Sequence, residues 1–241
     1  MRKVIMMSLM FILLLSNSST SFAYGNSLFV GGESTVYPTS PVQHVQGARA
    51  TITTPSSFVS VSSGQMTSAW VAVVGSSGNL AQMGFASEPS VTSVNPHYFF
   101  GVIDTSQPPL SQYSEVIGTT GPSTSTSITF TVKKENGSWR AYRSNSPTFF
   151  AGTNTSIGPD RVQYYNESYD DAQKWYGTSS SKLKFSAVQF WDGSASASAS
   201  DTSKWIWKKP NIPNNYFFNE GTGTSLDYST WSSSSTWTSW K

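Results

Sequence analysis

Short runs that alternate apolar and polar residues recur along this chain, separated by turns rich in Gly, Pro, Asn and Ser. Clear examples are Ser127–Lys133 and Leu183–Trp191, and Asn136-Gly137 after the first is a strong signal for a type I′ turn. A period of two residues is typical of β-strands with one buried face. With almost no helical pattern, these runs predict an all-β fold: an antiparallel two-sheet sandwich of the jelly-roll type.

The stretch Ser68–Phe85, SAWVAVVGSSGNLAQMGF, predicts a β-hairpin near the centre of a sheet. Trp70–Val74 is a β-branched apolar run, Gly75–Asn79 is turn material, and a second strand follows. Alternation in that second strand separates two faces: Leu80, Gln82 and Gly84 on one, Ala81, Met83 and Phe85 on the other. Gln82 is a long amide among small and apolar residues. It fits either a half-buried position on an open face or a group presented to a ligand.

The chain divides by composition into four segments. Residues 1–23 have a basic start, an apolar run and the small-x-small sequence Ser21-Phe22-Ala23, which predict a signal peptide cleaved after Ala23. Residues 24–44 are Gly-, Ser- and Pro-rich and predict an extended N-terminal arm with an edge strand near Leu28–Val30. We expect residues 45–227 to form the sandwich domain and residues 228–241, rich in Ser, Thr and Trp, to be a loosely docked C-terminal tail.

These segments predict a secreted, extracellular protein that is soluble or held at a cell wall by contacts. The chain has no cysteine, which excludes disulfides, a thiol nucleophile and a zinc–thiolate site. Its two histidines are isolated and it has no calcium-loop motif, so we expect no metal and no cofactor. The oligomeric state is open.

Charge and aromatic content narrow the range of partners. Only 12% of the residues are charged and the net charge is +2, while the mature chain has only two adjacent basic pairs, Lys133-Lys134 and Lys208-Lys209. This excludes nucleic-acid binding, which needs clustered cations. Nine tryptophans on an otherwise uncharged polar background favour contact with polysaccharide, although large sandwiches also use such rings as core filler.

The candidate carboxylates for hydrolysis are Asp104, Glu115 and Glu167, which fall on different predicted strands. Hydrolysis of glycosides needs two carboxyl groups that project from one face a few ångström apart. Nothing in the sequence pairs these three residues.

The order of motifs resembles the glutamic peptidases, the eqolisin family, within the concanavalin A-like lectin/glucanase fold. The similar segments are SAWVAVVGSSGNLAQMGF, SITFTVKKENGSW and VQYYNE, within residues 47–191. The resemblance implies that Gln82, in a Leu-x-Gln-x-Gly strand, corresponds to the family's catalytic glutamine. It also implies that the position of the catalytic glutamate holds Gln163.

That departure changes the expected chemistry. Gln163 cannot exchange a proton, and Gln82 can donate to an oxyanion but cannot activate water. Glu167 lies four residues further along the strand on the same face, about 13 Å away at the rise of a strand. Loss of acid-peptidase activity is therefore the expectation, with Glu167 the first substitute if activity remains.

The leading hypothesis is a secreted protein that holds a polysaccharide or peptide in a concave sheet groove, without protease activity. Its predicted binding residues are Trp70, Gln82, Tyr98, Gln163 and Tyr165. One alternative is a secreted hydrolase, either a diverged glutamic peptidase using Gln82 and Glu167 or a glycan-cleaving enzyme. Another is a structural protein of a wall or matrix. A carboxyl group beside Gln82 in one groove would favour hydrolysis, whereas amides and aromatic rings alone would favour binding.

Overall fold

The computed structural model describes residues 27–35, 45–144, 146, 148–169, 174–192, 207, 208, 210, 217–219, 225, 226 and 236–240. The predicted signal peptide lies outside these residues. Within them the chain forms fourteen β-strands and one short 3-10 helix, Pro109–Ser111. The strands are β1 Ser27–Thr35, β2 Gly47–Thr53, β3 Met66–Gly75, β4 Leu80–Ser87, β5 His97–Ile103, β6 Tyr113–Ile117, β7 Ser127–Glu135, β8 Ser138–Arg143, β9 Ala151–Thr153, β10 Pro159–Tyr169, β11 Leu183–Trp191, β12 Phe217–Asn219, β13 Ser225–Leu226 and β14 Trp237–Trp240.

The strands make two seven-stranded sheets. The first sheet has the order β12-β1-β10-β3-β4-β5-β6, and the second has the order β13-β14-β11-β2-β7-β8-β9. All strand pairs in both sheets are antiparallel. The predicted antiparallel two-sheet sandwich is therefore confirmed. In the part of the chain that the structure describes, no helix is long and apolar enough to cross a membrane.

The main core lies between the two sheets and is built by the alternation seen in the sequence. Buried side chains from both sheets meet there, among them Val71, Met83, Phe130, Tyr164 and Phe185. Burying one large apolar side chain of this kind stabilises the fold by about 1.5–3 kcal/mol. The chain has no cysteine and therefore no disulfide, so noncovalent contacts of this kind hold the two sheets together.

The predicted central hairpin is present. β3 and β4 pair from Thr67 and Ser87 to Val74 and Leu80, in the middle of the first sheet. The predicted separation of faces in β4 is also correct: Ala81, Met83 and Phe85 lie in the core, and Leu80 belongs to a second apolar cluster on the outer face. The hairpin between β7 and β8 turns at Asn136 and Gly137, whose φ angles of 50° and 83° fit the predicted turn.

Two strands near the chain ends are more integrated than the sequence suggested. The strand predicted near Leu28–Val30 is an edge strand only in part, because β1 pairs with β10 along its whole length and also with β12 from Val30 to Gly32. In the predicted tail, β14 pairs with β11 and β13 inside the second sheet. Trp237 on β14 is fully buried, and its ring stacks on Phe185 with centroids 4.2 Å apart. The described part of the tail is therefore a sheet strand that contributes to the core.

Candidate functional site

A row of six residues crosses six strands on the outer face of the first sheet. Each residue is the direct register partner of the next, and the row reads Glu33, Gln163, Ala72, Gln82, Gly101 and Glu115. Directly paired residues point to the same side of a sheet, so all six share this face. Gln82 has a small residue on each side, and beyond each small residue lies a polar one. Gln163 and Glu115 are therefore both two strands from Gln82, about 9–10 Å at the spacing of strands.

Gly101 allows polar groups to converge between Gln82 and Glu115. A Cβ atom at Gly101 would lie 2.9 Å from Nε2 of Gln82 and 2.9 Å from the hydroxyl oxygen of Tyr113. Those two atoms are therefore at most about 5.8 Å apart, the sum of their distances from that Cβ position. Tyr113 in turn hydrogen-bonds the carboxyl group of Glu115. The missing side chain at Gly101 thus leaves space for an amide, a phenol and a carboxyl group.

These groups open into a cleft that holds about 30 Å³, enough for one water molecule or a small group. The polar side chains that line this cleft are Ser68, Gln82, Tyr113, Glu115 and Glu167, with the indole of Trp70 beside them. The cleft therefore places Gln82 and two carboxyl groups, from β6 and β10, around one small space.

The pKa of Glu115 is raised from 4.5 to about 7. Burial of the carboxyl group is the main cause, because a desolvated carboxylate is unfavourable. The negative charge of Glu88 raises the pKa further, Glu167 adds a smaller effect, and the hydrogen bond with Tyr113 opposes the shift. A carboxyl group with this pKa changes its protonation state near neutral pH, as a general acid or base must.

Glu167 is held by two hydrogen bonds. The indole Nε1 of Trp70 donates to its Oε2 at 2.8 Å, and the hydroxyl group of Ser68 donates to the same atom at 3.0 Å. Two donors on one oxygen restrict the rotation of the carboxyl group. Glu167 therefore lines the cleft as a fixed group. Of the three candidate carboxylates from the sequence, the structure brings Glu115 and Glu167 into this cleft, whereas Asp104 does not line it.

Gln163 is occupied by a different partner. Its Nε2 donates a hydrogen bond to Oε2 of Glu33, and both side chains are 1% exposed. Burial raises the pKa of Glu33, while the hydrogen bond from Gln163 and the charge of Arg161, 3.7 Å away, lower it. Gln163 therefore lies on the predicted face but is engaged with Glu33, and it does not line the cleft.

The predicted aromatic binding residues are less accessible than expected. Trp70 and Tyr165 lie on the outer face, but they are 3% and 0% exposed and pack edge to face against each other at 5.1 Å. Tyr98 lies on the opposite face of β5, where it packs against Phe130 in the core between the sheets. Side chains alternate along β5, so Phe99 and Gly101 face the site whereas Tyr98, the residue before Phe99, points into the core. The prediction that Tyr98 lies at the site was therefore wrong. The structure therefore brings Trp70, Tyr165, Gln82 and Gln163 to one face, and Tyr98 to the other.

Comparison with known proteins bears on this arrangement. No protein-family model matches the chain, and no curated protein matches it significantly. Among solved structures, scytalidoglutamic peptidase with a peptide-based transition-state analogue is similar over 89% of this chain and 98% of its own, with a TM-score of 0.52 and 16% identity. The eqolisin SCP-B with the tripeptide Ala-Ile-His covers the same shares, at a TM-score of 0.49 and 15% identity. A Caenorhabditis elegans galectin, LEC-6, matches 62% of this chain and 98% of its own, with a TM-score of 0.34 and 7% identity.

The chain has the fold of the glutamic peptidases. The distant resemblance seen in the sequence is thereby confirmed at the level of fold. Within the glutamic-peptidase fold, the row across the first sheet contains both Gln82 and Gln163, the positions that the resemblance matched to the catalytic pair. At the position matched to the family's catalytic glutamate, this chain has Gln163, which carries no carboxyl group. A carboxyl group does lie two strands from Gln82 in the opposite direction, on Glu115.

Glu115 was a candidate from the sequence, but nothing in the sequence placed it beside Gln82, and Tyr113 and Gly101 were not among the predicted site residues. Their association depends on the register of β4 against β5 and of β5 against β6, for which a sequence carries no direct signal. Among the described residues, no group of three or more His, Asp or Glu side chains is placed to hold a metal ion.

Proposed function

We propose that this protein hydrolyses peptide bonds that lie across the opening of the cleft in the first sheet, with Gln82 and Glu115 as the reacting pair. One observation carries the proposal: Gln82 and Glu115 stand two strands apart in one cross-strand row, separated only by Gly101, and both line one cleft. A carboxyl group beside Gln82 in one groove is the arrangement that favours hydrolysis over binding alone. The sequence-based hypothesis of a purely binding groove becomes the alternative.

The two residues have complementary roles. The carboxylate of Glu115 removes a proton from water as the water oxygen attacks the carbonyl carbon of the peptide. Nε2 of Gln82 donates a hydrogen bond to the carbonyl oxygen, where negative charge develops. Glu115 then returns the proton to the departing amine, and the C–N bond breaks to give a carboxylic acid and an amine. Tyr113 keeps the carboxyl group in place through its hydrogen bond.

This assignment predicts a neutral rather than an acid optimum. Glu115 must be ionised to act as a base, and its pKa of about 7 means that it is largely protonated at pH 5 and below. Activity should therefore rise with pH through 7. The expected lack of acid-peptidase activity is retained, since Gln163 has no proton to exchange and Glu115 is protonated in that range.

A peptide suits the cleft better than a sugar. Trp70 and Tyr165 are buried, so neither offers an open ring face on which a sugar could stack. An amide donor beside a single base matches a carbonyl substrate, whose oxygen becomes an anion. With the predicted signal peptide, the proposed substrates are extracellular polypeptides.

The experiment uses protein that begins at Tyr24, a quenched-fluorescent peptide library and denatured casein, from pH 3 to 9. We expect cleavage that increases through pH 7. Gln82→Ala should lower kcat/KM about 10²-fold, and Glu115→Gln about 10²- to 10⁴-fold. Asp104→Asn is the matched control, because Asp104 is a carboxylate on the chain segment after β5 that does not line the cleft.

Three results would contradict the proposal. Unchanged cleavage by Glu115→Gln would remove its role, and loss of activity in Glu167→Gln alone would transfer that role to Glu167. Absence of cleavage across the whole pH range, with peptide binding still detected by fluorescence anisotropy and lost in Gln82→Ala, would restore the non-catalytic binding hypothesis.

A further inference from the structure

The two sheets differ in how their outer faces are covered. In the first sheet, β5 is buried at every position and β3 at every position except Met66, so both faces are covered. In the second sheet, β2 and β7 alternate between buried and half-exposed residues. The second sheet therefore presents a polar outer face, formed by the outward residues of β2, β7, β8 and β11, which we call the polar face. The proposed hydrolytic site makes no use of it.

The polar face carries an excess of positive charge. Arg49, Lys133, Arg140 and Lys184 all occupy outward positions of its strands, and Lys133 and Arg140 belong to one register pair. Among the described residues of these four strands, Glu135 is the one acidic side chain. It makes an ion pair with Lys133 and a longer one of 3.9 Å with Arg140. The outward side chains of these four strands therefore carry four positive charges and one negative charge. A ligand of complementary charge would be an anion.

Aromatic rings hold three of these cations along the surface. The guanidinium carbon of Arg49 lies 4.2 Å from the centroid of the Trp207 ring, and Nζ of Lys133 lies 4.4 Å from that of Tyr142. Arg140 is 4.8 Å from the ring of Phe149, which is 44% exposed. Such cation–π contacts orient long side chains before a ligand arrives, so less conformational entropy is lost on binding.

Rows of hydroxyl groups lie between the cations. The side-chain oxygens of Thr51 and Thr129 are 2.8 Å apart, and those of Thr53 and Ser127 are 2.7 Å apart. These pairs repeat along β2 and β7, so the face offers a regular array of donors and acceptors. An extended polymer that carries both hydroxyl and anionic groups matches this array. A small anion would use only one part of it.

We propose that the polar face of the second sheet binds an anionic polysaccharide. Carboxylate, sulfate or phosphate groups of the polymer contact Arg49, Arg140 and Lys184, and its sugar hydroxyl groups contact the Thr and Ser rows. This site is separate from the cleft, so the binding does not depend on the proposed hydrolysis. A duplex nucleic acid is the competing polyanion. The abundance of hydroxyl groups and the small number of cations favour polysaccharide.

The test is affinity electrophoresis and titration calorimetry with polygalacturonate at 50 and 300 mM NaCl. Pullulan serves as the neutral polymer and duplex DNA as the competing polyanion. We expect binding to polygalacturonate that weakens with salt and no binding to pullulan. Removing two charges in Arg140→Gln/Lys184→Gln should weaken binding about fivefold or more, at an unchanged melting temperature. Lys174→Gln, which removes an exposed lysine outside the polar face, should have no effect.

A second variant separates the hydroxyl contribution. Thr51→Val/Thr129→Val should weaken binding to polygalacturonate without changing its salt dependence, because no charge is removed. The proposal is overturned if Lys174→Gln weakens binding as much as the double variant, if pullulan binds equally well, or if DNA binds more tightly than polygalacturonate. It is also overturned if polygalacturonate does not bind at 50 mM NaCl.

Discussion

At the scale of single residues, the site depends on small side chains as much as on polar ones. Ala72 and Gly101 flank Gln82 in the cross-strand row. A larger residue at either position would separate Gln82 from the polar groups beyond it. Because Gly101 has no side chain, Gln82 and Tyr113 can both reach into the space above it.

Gly101→Ala tests this directly. The added Cβ would lie 2.9 Å from Gln82 Nε2 and from the Tyr113 hydroxyl oxygen, closer than atoms of these types approach. Both atoms end flexible side chains, so they can move aside and the fold should be nearly as stable. The catalytic geometry should be lost, and we expect kcat/KM to fall about 10- to 100-fold in the peptide assay.

Ser114→Ala is the control for this substitution, because Ser114 precedes Glu115 on β6 and is exposed on the other face. It should leave both activity and melting temperature unchanged. Full activity in Gly101→Ala would argue against a reaction that needs Gln82 and Glu115 to meet above this glycine.

At the scale of strands, segments near both ends of the chain complete the sheets. β1 supplies Glu33 to the row that contains Gln82, and β14 supplies Trp237 to the core. Neither contribution follows from composition, since residues 24–44 and 228–241 are dominated by Gly, Ser, Thr and Pro. A few well-placed apolar residues are enough to bring such a segment into a sheet when their faces match those of its neighbours.

Trp237→Ala should strongly destabilise the protein. The indole is fully buried and stacked on Phe185, and removing a buried ring of this size costs about 3–5 kcal/mol. For a domain of this length that corresponds to a fall in melting temperature of about 10 °C. Thermal unfolding followed by circular dichroism measures the change. Trp237→Phe keeps a ring against Phe185, so its loss of stability should be much smaller. A loss below about 1 kcal/mol in Trp237→Ala would mean that the tail is only loosely docked, as its composition suggested.

At the scale of the whole molecule, the two sheets differ in how much of their outer faces is buried. The central strands β3 and β5 of the first sheet are covered on both faces, and burial raises the pKa of Glu33 on β1, of Glu115 on β6 and of Glu88, which follows β4. The second sheet closes the core with one face and presents the polar face with the other. Stability should therefore depend on pH through the first sheet.

Glu115 should destabilise the fold as pH rises. Its pKa is about 7 in the folded protein and about 4.5 when unfolded, so the folded state keeps a proton that the unfolded state releases between these values. The resulting stability is complete below pH 4.5 and is lost as pH rises through 7. It amounts to at most about 3 kcal/mol. Glu115→Gln should therefore gain stability relative to the wild type between pH 5 and pH 8.

Comparing each variant with the wild type at each pH removes the contributions of the other groups. His97 has the opposite effect on stability, because burial lowers its pKa. Its contribution to the stability of the fold is present above pH 6.5 and is lost as pH falls below that value. Asp104→Asn is the control, since the pKa of Asp104 is lowered from 3.8 by its hydrogen bonds with Ser106 and it stays ionised throughout this range. A difference between Glu115→Gln and wild type that does not change from pH 5 to pH 8 would show that Glu115 is not buried in this way.

The fold class, the central hairpin and the alternation of faces in its strands could be predicted from the sequence. These features are local: a period of two separates buried from exposed residues, and Gly and Asn at turns connect neighbouring strands. The same alternation separated Gln82 from Ala81, Met83 and Phe85, and the structure shows that the face of Gln82 is the outer one. The resemblance to the glutamic peptidases was also visible in short motifs and is matched by the fold.

Which polar residues come together could not be predicted in this way, because it depends on how the strands pair. Glu115 lies 33 positions after Gln82 in the chain, and the two share a cleft because the registers of β4, β5 and β6 align them across Gly101. Register between strands, and the burial that sets the pKa of a carboxyl group, are properties of the assembled sheets. For the same reason the alternation along one strand could not show that Tyr98 faces the core, that Gln163 is held by Glu33, or that the cations of the second sheet lie together on one open face.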